Sequence, residues 1–444
     1  MGPARSRSAT RRDPKPSSAP LAYRAPMPDA LRERLHAHGF QLPDYDGGGL
    51  VNVAATVLDL CGARGPSDPP PLRGIDPALL SGVRNVLVVL CDGLGSDQLQ
   101  RLAKAGDVPF LARILERAGR HDAAQLIDAT TIFPSTTAAA VTTMQTARTP
   151  QEHGNIAYFL WLEEFATVAQ MLRWGVAAQR RGSFFDDRSI DPRKYAKVPS
   201  IHKAISDHGG RSYIVEPEIF RNEAMTRMHA AEATYVGYLL PSTMGVRVRQ
   251  LLDGRAEDDA PLYIYAYWAG VDTVAHWYGP RGPEHAAEAA LLDRDLERAL
   301  GDRDAGDTLV IVTADHGHAS VDPTRLIDLE ADRELRTLLR NPIAGEPRLV
   351  FLHTDRADDV KAYLEQAYPG TFLLIDRDAA IEAGLFGRGD PTLVRKRVGE
   401  VLAMLSDDRA ASVVRVDGQV VLHRGAHGGM TPDEMRIPVL LWRA

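Results

Sequence analysis

The sequence predicts an α/β protein: a three-layer α/β/α sandwich on a mostly parallel central sheet, with a smaller α+β subdomain inserted towards its C-terminal end. Three observations point there. Uninterrupted apolar runs, above all Asn85-Val-Leu-Val-Val-Leu-Cys91, have strand length and no alternation, as a strand covered on both faces requires. Helical stretches separate these runs, and strands alternating with helices build a parallel sheet. After residue 321 the texture changes to short β-rich stretches with two helices, which reads as a separate small sheet.

Taken in order, residues 1–26 are rich in Arg, Ser, Pro and Ala without an apolar period, and are expected to be a disordered tail. Residues 52–60 read as a short helix and 65–71 as a Pro-rich linker. The strand at 85–91 ends in Asp92-Gly93. Residues 96–119 then read as helix and 124–129 as strand. Further strands are expected at 212–215, 262–268, 308–313 and 438–442, and the clearest helix at 284–300, where apolar residues fall at i, i+3 and i+4. In the later stretch, 349–353, 371–375 and 413–422 read as strands, with helices at 358–367 and 391–405. The expected division is a core of 27–320 plus 425–444, interrupted by a subdomain at 321–424.

Composition excludes several function classes. The chain has 444 residues, 44% hydrophobic and 25% charged, the proportions of a globular protein. Its 52 basic and 59 acidic side chains leave a net charge of −7 with no basic half, so no nucleic-acid polymer is expected as partner. Two cysteines, Cys61 and Cys91, make neither a disulfide framework nor a metal cluster. No window approaches ~18 consecutive apolar residues, so no membrane span is expected. Arg11-Arg12 leads into Asp13-Pro14-Lys15-Pro16 rather than an apolar stretch, which argues against an export signal. Met1-Gly2…Ser6 formally fits a myristoylation pattern, but Pro3 and the surrounding composition oppose it. A cytoplasmic location is expected.

Open α/β sheets bind ligands beyond the carboxyl ends of their strands. Asp92 follows the first strand. Asp272 and His276 follow the strand at 262–268, Asp315 and His316 the strand at 308–313, and His427 stands just before the last strand. Three carboxylates and three imidazoles thus collect at one sheet edge, an oxygen and nitrogen donor set suited to Zn²⁺. Singly each is weak: an Asp after a strand often caps a helix, Asp272 and His276 could be an exposed helical pair, and five His-Gly dipeptides occur in the chain. Their order and placement carry the signal.

Phe133-Pro134-Ser135-Thr136-Thr137 reads as a turn feeding a helix that starts near Thr137. A hydroxyl there sits beside unpaired N–H groups that can cradle phosphate oxygens. A bound metal ion can ionise it into a nucleophile.

These residues, in this order, resemble the alkaline phosphatase superfamily, and most of all its nucleotide pyrophosphatase/phosphodiesterase branch. Asp272-Thr-Val-Ala-His276-Trp-Tyr-Gly279-Pro280 fits that branch's Asp-x-x-x-His-x-x-Gly-Pro string throughout. Thr137 matches the nucleophile position because a second threonine, Thr146, stands nine residues on, although Ala147 follows it where the branch usually has Gly. Ser135 and Thr136 remain alternative nucleophiles. Pro150…His153-Gly154 also fits. The resemblance runs from about Asn85 to the C-terminus.

The resemblance implies an alkaline phosphatase-like fold, a hydrolase of phosphodiester or pyrophosphate bonds in a small-molecule phosphate ester, and two divalent ions, Zn²⁺ or alternatively Mn²⁺. One ion would be held by Asp272, His276 and His427, the other by Asp92, Asp315, His316 and the Thr137 oxygen. With an ionised Thr137 the two ions and three carboxylates sum to zero charge, which suits a monoanionic diester. Thr137 would attack phosphorus, and water would hydrolyse the phosphothreonine. Five residues after His153, where the branch carries an Asn that donates to a phosphoryl oxygen, this chain has Tyr158; Tyr158 and Asn155 are the candidate substrate donors. Phe159, Trp161 and Trp277 are candidates for a substrate wall. The alternatives are a phosphonate (C–P) hydrolase or phosphomonoesterase of the same superfamily, and, from another class, a binding protein that keeps the fold without catalysis.

Overall fold

The computed structural model describes residues 27–444 except 179–184, 186–188, 196–197, 231, 256–258, 304–305 and 416–417. The expected disordered tail at 1–26 lies outside the described residues.

Among the described residues the central sheet has seven strands. Asn85–Cys91 lies in the middle, parallel to Leu262–Trp268 on one side and to Thr308–Thr313 on the other. Arg211–Pro217 and then Thr234–Tyr238 extend the sheet in parallel beyond Leu262–Trp268. On the opposite side Arg436–Arg443 runs antiparallel between Thr308–Thr313 and Ala124–Thr130. Every residue of the three middle strands is buried, which accounts for their lack of polar alternation. Helices pack among themselves in two sets. One joins Leu50–Leu60, Thr137–Thr146 and Ile201–Asp207; the other joins Ser96–Ala105, Pro109–Gly119, Pro283–Leu300, Met244–Asp253 and Gly270–Tyr278. The expected three-layer sandwich is what forms.

A second sheet, antiparallel, has seven strands among the described residues, in the order Leu373–Asp376, Val401–Met404, Leu349–Leu352, Ala344–Glu346, Phe159–Leu162, Thr167–Gln170 and Gly175–Val176. Its last three strands come from residues 159–176. A subdomain confined to 321–424 therefore does not account for this sheet, because Gly345 pairs with Phe159 and joins the two stretches through backbone hydrogen bonds.

Three local expectations are corrected. Residues 96–119 form two helices, since Gly106 adopts the left-handed conformation that ends the first and Pro109 opens the second. Asp293 caps that second helix, accepting the N–H of Phe110 at 3.0 Å and of Leu111 at 2.8 Å. Residues 391–405 are a short helix, Thr392–Arg397, followed by the buried strand Val401–Met404. Residues 413–422 form no strand among those described; the neighbouring Ala411 makes only an isolated bridge to Ile327. A two-residue ribbon, Ala319–Ser320 against Gly425–Ala426, ties the loop after Thr308–Thr313 to the chain before the last strand. Among the described residues no helix is long and apolar enough to cross a membrane.

Candidate metal centre

The three middle strands end at one level, and the side chains just beyond them converge. Asp92 continues its strand's ladder, donating its N–H to Trp268 O at 2.9 Å. Gly93 turns the chain with φ 74° and donates its N–H to Asp315 Oδ1 at 3.1 Å, which links the ends of two adjacent strands. The His316 N–H donates to the same Oδ1 at 3.0 Å. Asp315 Oδ2 is left without a hydrogen-bond partner in a fully buried position. Asp92 is held the same way: Tyr267 donates its hydroxyl to Oδ2 and Oδ1 is left bare.

Those two bare oxygens and one hydroxyl face a single nitrogen. His316 Nε2 lies 3.5 Å from Asp92 Oδ1, 3.3 Å from Asp315 Oδ2 and 3.1 Å from Thr137 Oγ1. His316 Nδ1 donates to the Gly317 carbonyl at 3.1 Å; since a carbonyl only accepts, the proton is on Nδ1 and Nε2 offers its lone pair. Bonds of ~2.0–2.1 Å to a tetrahedral ion require donor atoms about 3.3 Å apart, and the three distances from His316 Nε2 lie close to that spacing.

A second set stands beside it. Helix Gly270–Tyr278 carries Asp272 and His276 four residues apart, on one face, with His276 Nε2 3.4 Å from Asp272 Oδ1. His427 Nε2 lies 3.2 Å from His276 Nε2 and 3.7 Å from Asp272 Oδ1. The Nδ1 atoms of His276 and His427 donate to Gly425 O at 2.9 Å and Ser135 O at 3.0 Å. Two imidazole lone pairs therefore point at each other across 3.2 Å, an arrangement that repels unless a cation lies between them. Asp92, Asp272 and His316 also offer atoms within 4.8 Å of one another, so the Asp272 carboxylate borders both sets.

The electrostatics agree. Burial, together with the charges of Asp315 and Asp272, holds the Asp92 carboxyl well above the usual range. Asp315 is raised too, chiefly by burial. Although burial pushes Asp272 upwards, His276, His318 and His427 hold it well below its ordinary value. His427 is driven far down by burial and by the imidazoles of His316 and His276. Crowded carboxylates and deprotonated imidazoles are what divalent ions stabilise.

Thr137 is the first residue of helix Thr137–Thr146, and no side chain caps that helix. The neighbouring hydroxyls are committed elsewhere. Ser135 Oγ donates to Gly429 O at 2.9 Å and accepts from the Gly428 N–H at 3.1 Å, while Thr136 bonds Glu346.

A cleft of about 940 Å³ opens beside both sets, and Asp92, Thr137, Asp272, His276 and His427 line it. Of the candidate substrate donors, Tyr158 reaches the cleft, with its hydroxyl 3.4 Å from Gln170 Oε1. Asn155 does not. Its amide donates to Ala138 O and to Thr142 Oγ1, both at 3.0 Å, and so ties its loop to the helix behind the cleft. Phe159 and Trp277 line the cleft; Trp161 instead packs near His353.

His318, which no sequence motif marks out, places its Nε2 2.7 Å from Asp272 Oδ1 and groups with Asp272, His276 and His427. Its one sequence signal is a second His two places after His316. Glu216, Glu346, Arg173 and His423, which line the cleft, carry no motif at all.

The sequence matches the family model described as "Type I phosphodiesterase / nucleotide pyrophosphatase" over residues 86–430. No curated protein matches it. Among solved structures it is similar to murine ectonucleotide pyrophosphatase/phosphodiesterase 5 at 16% identity and TM-score 0.58, over 80% of this chain and 87% of that one. Another structure of the murine protein is an inactive Thr-to-Ala variant in complex with AMP. The chain is also similar to phosphonoacetate hydrolase from Sinorhizobium meliloti 1021 in complex with phosphonoformate, at 18% identity and TM-score 0.59, over 82% of this chain and 91% of that one.

Proposed function

The chain belongs to the type I phosphodiesterase/nucleotide pyrophosphatase family, and from that premise we propose that it is a metal-dependent hydrolase of phosphodiester or pyrophosphate bonds in a small-molecule ester, acting through a phosphothreonine on Thr137. The observation that carries the reading is the gathering of Thr137 Oγ1, Asp92 Oδ1 and Asp315 Oδ2 about His316 Nε2. Asp92, Asp315, His316 and Thr137 would hold one divalent ion and Asp272, His276 and His427 the other. Zn²⁺ fits the donor atoms and Mn²⁺ is the alternative. Such ions lower the pKa of a bound hydroxyl or water and neutralise phosphoryl charge.

The chain's own groups do the rest. The uncapped N–H groups opening helix Thr137–Thr146 are placed to receive phosphoryl oxygens. Attack by the Thr137 oxygen forms an oxygen–phosphorus bond as the bond to the leaving group breaks. Water then cleaves the phosphothreonine and returns the hydroxyl. The hydroxyl of Tyr158, in the cleft wall, stands in for the amide that the branch uses as a phosphoryl donor.

Cleft charge separates the diester from C–P cleavage. Its described lining holds one arginine, Arg173, and no lysine. A substrate with a carboxylate, such as phosphonoacetate, would find little cationic charge there to receive it, whereas an ester with an uncharged organic part needs none.

The test is a panel of bis-p-nitrophenyl phosphate, p-nitrophenyl phosphate, a phosphonate monoester and phosphonoacetate, with and without added zinc. The diester should be turned over fastest. Faster release of phosphate from phosphonoacetate would overturn the substrate reading. A chain with no turnover and no bound metal would instead be a binding protein.

A further inference from the structure

Beside the Asp272/His276/His427 set stands a buried imidazole that the reaction above leaves unused. We infer that His318 is a positioning residue whose Nε2–H donates to Asp272 Oδ1 and fixes that carboxylate for metal binding. The inference rests on the reading of Asp272 as a ligand.

Geometry distinguishes a donor from a further ligand. Around a tetrahedral ion with bonds of ~2.0–2.1 Å, donor atoms lie about 3.3 Å apart. The separations among Asp272 Oδ1, His276 Nε2 and His427 Nε2 are 3.4, 3.2 and 3.7 Å. His318 Nε2 is only 2.7 Å from Asp272 Oδ1, too short for such an edge and ordinary for a charge-assisted hydrogen bond. The other ring nitrogen gives a second, independent sign. Nδ1 of His276, His316 and His427 is each fixed by a backbone carbonyl, which turns Nε2 outwards as a lone pair. His318 Nδ1 is buried without a hydrogen-bond partner, so nothing reserves its Nε2 lone pair for an ion. The tautomer that places the proton on Nε2 satisfies Asp272 instead.

The fold holds the ring in place from several sides. In the ribbon, Ala319 pairs with Ala426 and Ser320 with Gly425, so the register carried one step further sets His318 across from His427. Gln98 Nε2 donates to the His318 carbonyl at 2.9 Å. Two glycines leave the space the ring fills: a Cβ on Gly93 would come 2.9 Å from His318 Cδ2, and one on Gly425 3.2 Å from His318 Nδ1. With Oδ1 pinned from one side, the Asp272 carboxylate keeps a single orientation between the two candidate metal sites.

The experiment titrates zinc into chelator-treated wild type, His318→Ala and His318→Gln against a chromophoric chelator. Wild type should take up two equivalents. His318→Ala should keep that stoichiometry but weaken one site about 10–100-fold, the usual cost of losing such an outer partner. His318→Gln, whose amide can donate to Asp272, should recover most of the loss. Unchanged affinity in His318→Ala overturns the inference, as does loss of a whole equivalent in both variants, which would make His318 a ligand. Should the variants misfold, ¹⁵N-histidine spectra of the zinc-loaded wild type decide: a protonated His318 Nε2 supports the donor, and a metal-bound Nε2 shift overturns it. A wild type that takes up no zinc overturns the metal reading of Asp272 itself, an outcome distinct from any of these.

Discussion

Thr137 Oγ1 lies 3.1 Å from His316 Nε2, although 179 residues separate the two in the chain. One opens a helix and the other follows a strand, and only the sandwich brings them together. If Thr137 is the nucleophile, Thr137→Ala should lower kcat by about 10³-fold or more, the scale on which loss of a catalytic nucleophile is felt. The same variant should still bind at least one equivalent of zinc. Steady-state rates with bis-p-nitrophenyl phosphate and metal analysis check both; a variant within tenfold of wild type would remove Thr137 from the reaction.

Asp92 Oδ1 and Asp315 Oδ2 are buried and no neighbouring N–H or hydroxyl donates to them, so the metal-free chain crowds two carboxyls together with no cation between them. Chelation should abolish turnover and lower Tm, and zinc at a hundred times its Kd should restore about 2.7 kcal/mol per site. Asp92→Asn, which leaves the second donor set intact, should halve the zinc bound per chain. Mass spectrometry of the metal-to-protein ratio decides the matter, and two equivalents in Asp92→Asn would count against the assignment.

Burial raises Glu346 from 4.5 to about 8 and Glu216 from 4.5 to about 7. Between pH 4.5 and 8 the folded, metal-free chain therefore holds protons that the unfolded chain has released, and its stability falls as pH rises through that window. The slope is about 1.4 kcal/mol per pH unit for each such group. Glu346→Gln keeps an acceptor for the Tyr158 N–H, which Glu346 now receives at 2.6 Å. Its Tm advantage over wild type should grow across that window and level off above it. A difference in melting temperature that is constant with pH would contradict the shift.

Arg348 and Glu434 are both fully buried, with Nε and Oε1 3.6 Å apart. Glu434 accepts from the Gly429 N–H at 2.8 Å and the Thr431 N–H at 3.1 Å, so the pair holds the loop that carries His427. Arg348→Met leaves that carboxylate without its cation and should cost about 3–5 kcal/mol, as breaking a buried pair does. Denaturant unfolding measures it; a loss under 1 kcal/mol would show that the pair is not what steadies the loop.

How much of this was legible depends on the range of the interaction. Strands 85–91, 262–268 and 308–313 are buried on both faces, so their apolar runs were visible without any partner. Asp92, Asp315 and His316 were visible because they stand directly after such a strand, Asp272 and His276 because they come next in the chain after Leu262–Trp268, and His427 because it precedes the last strand, Arg436–Arg443. The strands Phe159–Leu162 and Thr167–Gln170 were not visible. They are short, and the partner that joins them to the rest of their sheet, Ala344–Glu346, lies far along the chain. Asn155 was misjudged for a related reason: a free amide and one already bonded to Ala138 O and Thr142 Oγ1 read alike in sequence.

What the sequence alone determined is the fold class and the set of groups available for chemistry, since hydrophobic period and strand-end position are local properties. Which oxygen of Asp92 or Asp315 stays bare, which histidine nitrogen is turned outwards, and that His318 grips Asp272 were decided only in the tertiary structure. Apart from the Gly317 carbonyl beside His316, those facts depend on carbonyls, hydroxyls and ring nitrogens supplied from tens to hundreds of residues away, and a hydrogen bond is made by proximity in space.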